Sequence, residues 1–567
     1  MSWSALFTFA AFVAPPLPIP NDAPVVLMIT GRDDVTKNLD ALLAVVDPSG
    51  GKALLERWTT SLKERFSGRT FDAIDANRPT YAAFTSLDGL TTATPPVVWL
   101  FPYSDYKRFR REVLTVEERR AWIPGKGAPD QTGGNFFMDF TAQGYVGFTE
   151  NEASAAWMLR RDVERTMPRP RGFTEAAAAV HFNLTLIEAM YGEAIRGTIN
   201  LGLLALKFGG GGIVPGFDRG QLQSVQLLAD GFLQILKDAD SATLAVKLSP
   251  HGTDVSGEID FRPGTVCGQN LADARPSDLG ELWKLLPPGG TSYYAARAPA
   301  SITKLLRRLN PEFEAEPGER RASAAVLAYE ERVSVETETG VAAMSKDGAT
   351  LVCHPSPREA AKLTEATIRG LKAIGSLGRF RNLPLTTQPN SALVFDENGL
   401  KLYVAPIRID LDAAVAGVRD PNLREATLAS IRGIVDERTS LLFGDDGKRF
   451  LRIDGPNQAA NWRLMKEFDG TSAADPLLAA MPMPKLTHFY AVEAAAAIDV
   501  LGTYLTKVGG ALPAVPGLVL PDYIAVKSPP RSLIGFGLQL NPGRAEFRLH
   551  LPAPAIKLAR ESFVMPE

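Results

Sequence analysis

The chain is poor in the residues that usually advertise chemistry. Its 567 residues include only two cysteines and five histidines. Cys267 and Cys353 cannot form a disulfide framework for a protein of this length, and both are expected to be free thiols. A surplus of one charge is also lacking: 61 basic against 64 acidic side chains leave a net charge of −3, which gives no footprint for nucleic acid. Long apolar runs are missing too. The uncharged stretch Trp3 to Ala14 is too short to span a bilayer, so no transmembrane span is expected in the mature chain.

The familiar motifs fail for want of one residue or another. Gly209 to Gly212 suggests an anion-binding turn, but no GKS or GKT follows it, and Lys207 precedes the glycines instead of entering the next helix. Gly509-Gly510 resembles an ordinary helix end. Gly375-Ser376-Leu377-Gly378 reads as a loop, because Ile374 stands where a nucleophile elbow requires glycine. His181 has no second His or Cys at ligand spacing, and it reads with His488 as a structural histidine. Asp445-Asp446 and Asp396-Glu397 are hairpin tips outside any calcium-loop pattern, and carboxylate pairs of the glycosidase type leave no sequence signature. No catalytic, cofactor-binding or metal-binding residue is therefore assigned, and no cofactor.

What is present is a repeat. Leu201-Gly202 with Lys207-Phe208-Gly209-Gly210 answers to Leu501-Gly502 with Lys507-Val508-Gly509-Gly510. Val214-Pro215-Gly216 matches Val515-Pro516-Gly517, His181-Phe182 matches His488-Phe489, and Met167-Pro168-Arg169-Pro170 matches Met481-Pro482-Met483-Pro484. Pro79 and Gly89-Leu90 match Pro389 and Gly399-Leu400. Anchors in one order with a drifting offset indicate two divergent copies of one domain. The expected layout is domain 1 over 21–275, a linker over 276–290 and domain 2 over 291–567, the second with about 43 extra residues before Pro389.

Each copy reads as strand, turn and helix units. Val25 to Ile29 is a β-rich run, after which Asp33 or Asp34 can cap a helix with Val35, Leu39, Leu42, Leu43 and Val46 on one face. Ser292 to Ala296 and a helix through Ile302, Leu305, Leu306 and Leu309 open the second copy, and further strands are expected at Ala324 to Ala328 and Val333 to Thr337. Tight hairpins are predicted at Asp88-Gly89, Asp347-Gly348, Asn398-Gly399 and Asp446-Gly447, so the sheets should be largely antiparallel. Helices with an Ala-Ala pair are expected over Thr149 to Arg160, Ser356 to Ile368 and Pro456 to Met465. Terminal hairpins Ala242 to Phe261 and Leu533 to Leu551 close the copies, and the fold class is α+β.

The repeat, the opening Ala23 to Val46 and the terminal hairpins at Ser241 to Gly264 and Ser532 to Arg560 resemble a family of large bacterial exported proteins known only as a domain of unknown function. The resemblance implies export and an α+β fold, and it implies no catalytic residues. The apolar run and the spacer Pro15 to Pro20 suit an export signal over 1–20, although no Lys or Arg precedes the run and Phe12 and Pro15 spoil a cut after Ala14. The expected location is the periplasm or cell envelope, with the cytoplasm as the alternative if the segment is not a signal.

Three functions fit. The first is a non-enzymatic binding or structural protein of the bacterial envelope, its partner an unidentified envelope protein or amphiphile. The second is a carrier of lipid or another amphiphile in an apolar pocket, with Leu184 to Leu206 and Ala491 to Leu505 as covering helices. The third is a hydrolase with a site in one copy only. Export is testable directly: N-terminal sequencing and fractionation of the native protein should recover it outside the cytosol with Trp3 removed, and cytosolic protein retaining Trp3 counts against export.

Overall fold

The structure, a computed structural model, describes most of residues 17–47, 73–209, 219–297 and 339–564. The chain divides into two compact units, Met1–Gly192 with Ala239–Phe261, and Glu193–Asp238 with Arg262–Glu567. Both are α+β, and the described strand pairings in each are antiparallel.

In the first unit β1 (Val25–Ile29) leads into α1 (Arg32–Val46), followed by β2 (Thr80–Phe84) and β3 (Val97–Pro102). Next come helices α2 (Tyr106–Glu112) and α3 (Val116–Ala121), strands β4 (Ala128–Thr132), β5 (Asn135–Phe140) and β6 (Tyr145–Thr149), helix α4 (Glu152–Leu159), and β7 (Ala178–Asn183). Helix α5 (Leu184–Gly209) begins here and passes after Gly192 into the second unit, which also takes α6 (Arg219–Asp238); the chain returns to the first unit in the hairpin of β8 (Ala239–Ser249) and β9 (Gly252–Phe261). Strand neighbours run β9-β8-β7-β1-β2-β3-β6-β5-β4.

Alternation along the strands gives this sheet two apolar faces. Val26, Met28, Tyr81, Leu100 and Ala179 join Met158 of α4 and Phe173 in one core. Phe101, Phe137 and Phe148 meet Phe109 of α2, with Val113, Leu114 and Trp122 that follow it, in the other. Burial of each large side chain contributes about 1.5 to 3 kcal/mol. Both short helices start at defined caps. The Asp105 carboxylate accepts from the Lys107 and Arg108 amides, and Thr115 with Glu118 forms a reciprocal capping box.

The second unit contains α7 (Val266–Asn270), β10 (Ser292–Arg297), β11 (Thr339–Met344), β12 (Thr350–His354), α8 (Ala360–Leu377) and the two-residue strands β13 (Arg379–Phe380) and β14 (Leu383–Pro384). It continues through β15 (Ala392–Glu397), β16 (Leu400–Arg408), α9 (Leu411–Ala414), β17 (Arg438–Asp445), β18 (Phe450–Gly455), α10 (Gln458–Glu467) and α11 (Pro476–Ala479). Last come β19 (His488–Glu493), α12 (Ala494–Ala511), β20 (Asp522–Tyr523), β21 (Leu533–Asn541), β22 (Arg544–Pro552), α13 (Ala553–Ser562) and β23 (Phe563–Val564). Strand neighbours in its large sheet run β22-β21-β19-β10-β11-β12-β18-β17-β16-β15. Read outward from β1 and β10, the two sheets have the same neighbour order, and β15 adds one edge strand to the second. One face, with Tyr293, Leu351, Ile453 and Phe489, is covered by Ala460 and Leu464 of α10 and Leu478 of α11. The other is covered in part by Leu363 and Leu371 of α8, which pack on Ile407, Phe443 and Phe450.

Local expectations and structure differ at several places, and the connections after Met344 and Asp445 are longer than two-residue turns, since those residues pair with Thr350 and Phe450. Helix α1 starts at Arg32 behind Gly31, which makes no side-chain cap, so Asp33 and Asp34 lie in its first turn, where carboxylates favour the positive end of the helix dipole. Phe84 pairs with Val97, so Asp88-Gly89 belongs to a longer connection and not to a two-residue turn. The expected loop at Gly375 to Gly378 is the last turn of α8, which Gly378 ends in the left-handed conformation at φ 64°. The hairpin expected at Asn398-Gly399 forms, with Glu397 paired to Leu400 and Gly399 at φ 82°. The helix through Ile302 and the strands at Ala324 to Ala328 and Val333 to Thr337 lie outside the described residues.

The paired anchors Gly202 and Gly502 have unlike surroundings. A Cβ on Gly502 of α12 would meet the Tyr523 ring at 2.1 Å, whereas one on Gly202 of α5 would meet nothing within 4 Å among the described residues. Gly502→Ala should therefore cost about 1 to 3 kcal/mol by overpacking, and Gly202→Ala should be neutral or add up to about 1 kcal/mol through helix propensity. Denaturant unfolding of the two variants measures the contrast.

Candidate functional site

Among the described residues, no group of three or more His, Cys, Asp or Glu side chains converges as a metal site would require. The titratable residues singled out in the sequence are dispersed. His181 on β7 lies opposite Thr243 of β8, with Nδ1 2.9 Å from the Thr243 hydroxyl. Burial lowers its pKa to about 4 against the opposing pull of Asp260 and Asp240, so the ring is neutral at pH 7. His354 on β12 lies 3.2 Å from the Thr339 carbonyl through Nδ1, stacks on Phe450, and is likewise pushed down to about 4 by burial. His488 on β19 packs 6.4 Å from the Tyr294 ring, and burial lowers its pKa as well. Its Nδ1 is buried without a hydrogen-bond partner among the described residues.

His181 and His488 are not equivalents despite the shared His-Phe pair. Strand β7 occupies 178–183 and leads directly into α5, as β19 at 488–493 leads directly into α12. Counted from the strand start, Ala178 stands where His488 does, and His181 where Ala491 does. A displacement of three residues reverses the face in a structure of period two. His181 lies on the side of Val26, which belongs to its unit's core, while His488 shares the side of Tyr294, away from core residue Phe489.

The cysteines are free and offer no nucleophile at neutral pH. Burial, then the nearby Asp238, pushes the Cys267 thiol up to about 12, and burial pushes Cys353 to about 12. The hairpin acids serve local structure: Asp445 accepts from Thr364 at 2.5 Å, and Asp446 accepts from the Lys448 and Arg449 amides and from the Arg449 guanidinium. Ser376 donates to the Lys372 carbonyl one turn back. Of Gly209 to Gly212, Gly209 ends α5 and the others lie outside the described residues.

Two buried polar clusters were invisible in the sequence. In the second unit Asp475, 1% exposed, accepts from the Tyr293 hydroxyl at 2.8 Å, from Arg531 at 3.2 Å in an ion pair that closes to 2.8 Å, and from the Gly289 and Leu477 amides at 3.0 Å each. Arg531 also donates to the Gly290 carbonyl, and the Gly290 amide donates to Tyr293. The segment expected to be a linker is thereby fastened to β10 and to the start of α11. Asp475-Pro476 is a helix-start signal that could have shown the cap, though not the arginine 56 residues away. In the first unit the Tyr106 hydroxyl donates to Asp139 at 2.9 Å and accepts from the Trp122 indole at 2.6 Å, under the Arg110 guanidinium. Burial and the Asp139 carboxylate raise Tyr106 to about 12.

The remaining feature is apolar and exposed. Tyr294, Tyr490 and Phe536 are cross-strand neighbours on β10, β19 and β21, each between 38% and 44% exposed. Leu549 of β22 continues the row. Val500 and Leu501 of α12, and Met190, Leu201 and Leu204 of α5, are also exposed. No protein-family profile matches the chain, and no curated protein or solved structure is significantly similar to it.

Asp475 dictates an acid response. Burial alone would raise its pKa, but the bonds from Arg531, Gly289, Tyr293 and Leu477 outweigh it and hold the group at about 2. Its contribution is complete above the unfolded carboxylate value of about 3.9 and is lost as pH falls from there through about 2. The histidines act earlier: His181 and His354 stay neutral to about pH 4, whereas unfolded histidine protonates near 6.5, so stability declines as pH drops between those values. Urea unfolding across pH should show both limbs, and exchanging His181 and His354 for Gln should flatten the upper one. Asp475→Ala should cost about 3 to 5 kcal/mol at pH 7 by stranding Arg531.

Proposed function

We propose that the protein is an exported, non-enzymatic binding or structural component of a bacterial cell envelope, made of two tandem divergent copies of one α+β domain. The duplication is supported by the common strand order of the two sheets, by the helices that directly follow β7 and β19, and by the Leu-Gly and Lys-x-Gly anchors on those helices. Export rests on the apolar and proline-rich segment at 1–20, and membership of the bacterial exported family rests on the opening strand and helix and the terminal hairpins.

The observation that carries the binding reading is the row Tyr294, Tyr490 and Phe536. Single exposed apolar side chains are ordinary, but a row across neighbouring strands marks a contact surface. No helix among the described residues is long and apolar enough to cross a membrane. A second reading, an amphiphile carrier, is favoured by the same row, because tyrosine hydroxyls and the His488 ring place polar tips beside apolar bodies.

A photo-crosslinking amino acid at Tyr490, with one at Gly348 as control, tests both in intact cells. The expected result is a discrete adduct with an envelope protein from position 490 alone. A lipid adduct selects the carrier, and no adduct beyond the control overturns both.

A further inference from the structure

The α2–α3 corner of the first unit carries a charge pattern opposite to that of the chain. Between Asp105 and Lys126 there are seven basic side chains against four acidic ones, an excess of three positive charges in a chain whose net charge is −3. Folding accentuates the imbalance. Asp105 is spent on capping α2, Glu118 is 1% exposed inside the capping box of α3, and Glu112 is bracketed by Arg108 and Arg111. Glu117 is the one acid of the four without such a role.

The helices bring their basic residues together. The Arg119 guanidinium donates to the Arg111 carbonyl at 2.6 Å, and Arg110 donates to the Arg119 carbonyl at 3.3 Å, so the end of α2 and the last turn of α3 converge. Phe109, Val113, Leu114 and Trp122 lock this corner onto the sheet, which makes it a rigid platform. Two apolar side chains stand out among the cations. Val116 is 47% exposed and shares a helix face with Arg119 and Arg120, and Ile123 is 48% exposed in a turn closed by its bond to Gly127.

We infer that this corner is a docking surface for an anionic phospholipid leaflet. Basic side chains are drawn to its surface potential, and protruding apolar side chains partition into the headgroup boundary; charge alone would fit any polyanion, but Val116 and Ile123 among the cations fit a lipid interface. The surface lies on elements other than those carrying the Tyr294 row, and it requires no protein partner.

Sedimentation of the full-length protein with vesicles of phosphatidylcholine, with and without phosphatidylglycerol, tests it. Binding to the anionic vesicles should exceed binding to the neutral ones by about tenfold or more and should fall away at about 0.5 M salt. Lys107→Glu with Arg120→Glu should abolish the preference, and Ile123→Ser should weaken binding while leaving its salt dependence. Should a charge variant fail to fold, the comparison of vesicles and salts with the unaltered protein still decides. Equal partition into both vesicles, absence of binding at low salt, or equally tight binding to soluble polyglutamate overturns the inference. The vesicles contain no envelope protein, so failure here leaves the crosslinking result at Tyr490 standing, and the converse holds.

Discussion

Each unit is organised around one strand held between a neighbour close in the chain and another far along it. Strand β1 pairs with β2 on one side and β7 on the other, and β10 pairs with β11 and β19. Such pairings incur the loop-closure entropy of long intervening segments before their hydrogen bonds form. Sheets fixed in this way must cover two faces. In the first unit α4 covers one face and α2 with α3 the far end of the other; in the second the same parts fall to α10 with α11 and to α8.

The buried polar groups follow from that arrangement. Fastening helices and connections to a sheet leaves amides, hydroxyls and a few charges inside, and each must be paired. Asp475 is surrounded by four donors, and the Tyr106 hydroxyl both donates and accepts. Groups so engaged hold the fold and are poorly disposed to exchange protons, as the elevated tyrosine and thiol pKa values also indicate. What the molecule presents outward is surface: an aromatic row on one sheet and a basic, partly apolar corner on the other.

Much of the local structure was legible because it depends on neighbouring residues. Val25 to Ile29, Ser292 to Ala296 and both terminal hairpins form strands as read, since β-branched runs and turn residues report on the chain within a few positions. The misreadings have a common source. Gly375 to Gly378 reads as a loop once Ile374 rules out a nucleophile elbow, yet α8 runs on to Leu377 and ends at Gly378 while packing Leu363 and Leu371 against the sheet. The His-Phe pairs looked alike because sequence identity does not record which face of a strand a residue takes.

Periodicity, turn chemistry and cysteine number act locally or through composition, so the α+β class, the antiparallel hairpins and the free cysteines could be read from the residues alone. Folding in three dimensions presses Gly502 on Tyr523, leaves Gly202 open among the described residues, brings Arg531 to Asp475, and turns His181 and His488 opposite ways. Those outcomes depend on register and on contacts between distant segments. A shift of an odd number of residues leaves the apolar pattern readable and reverses every side chain.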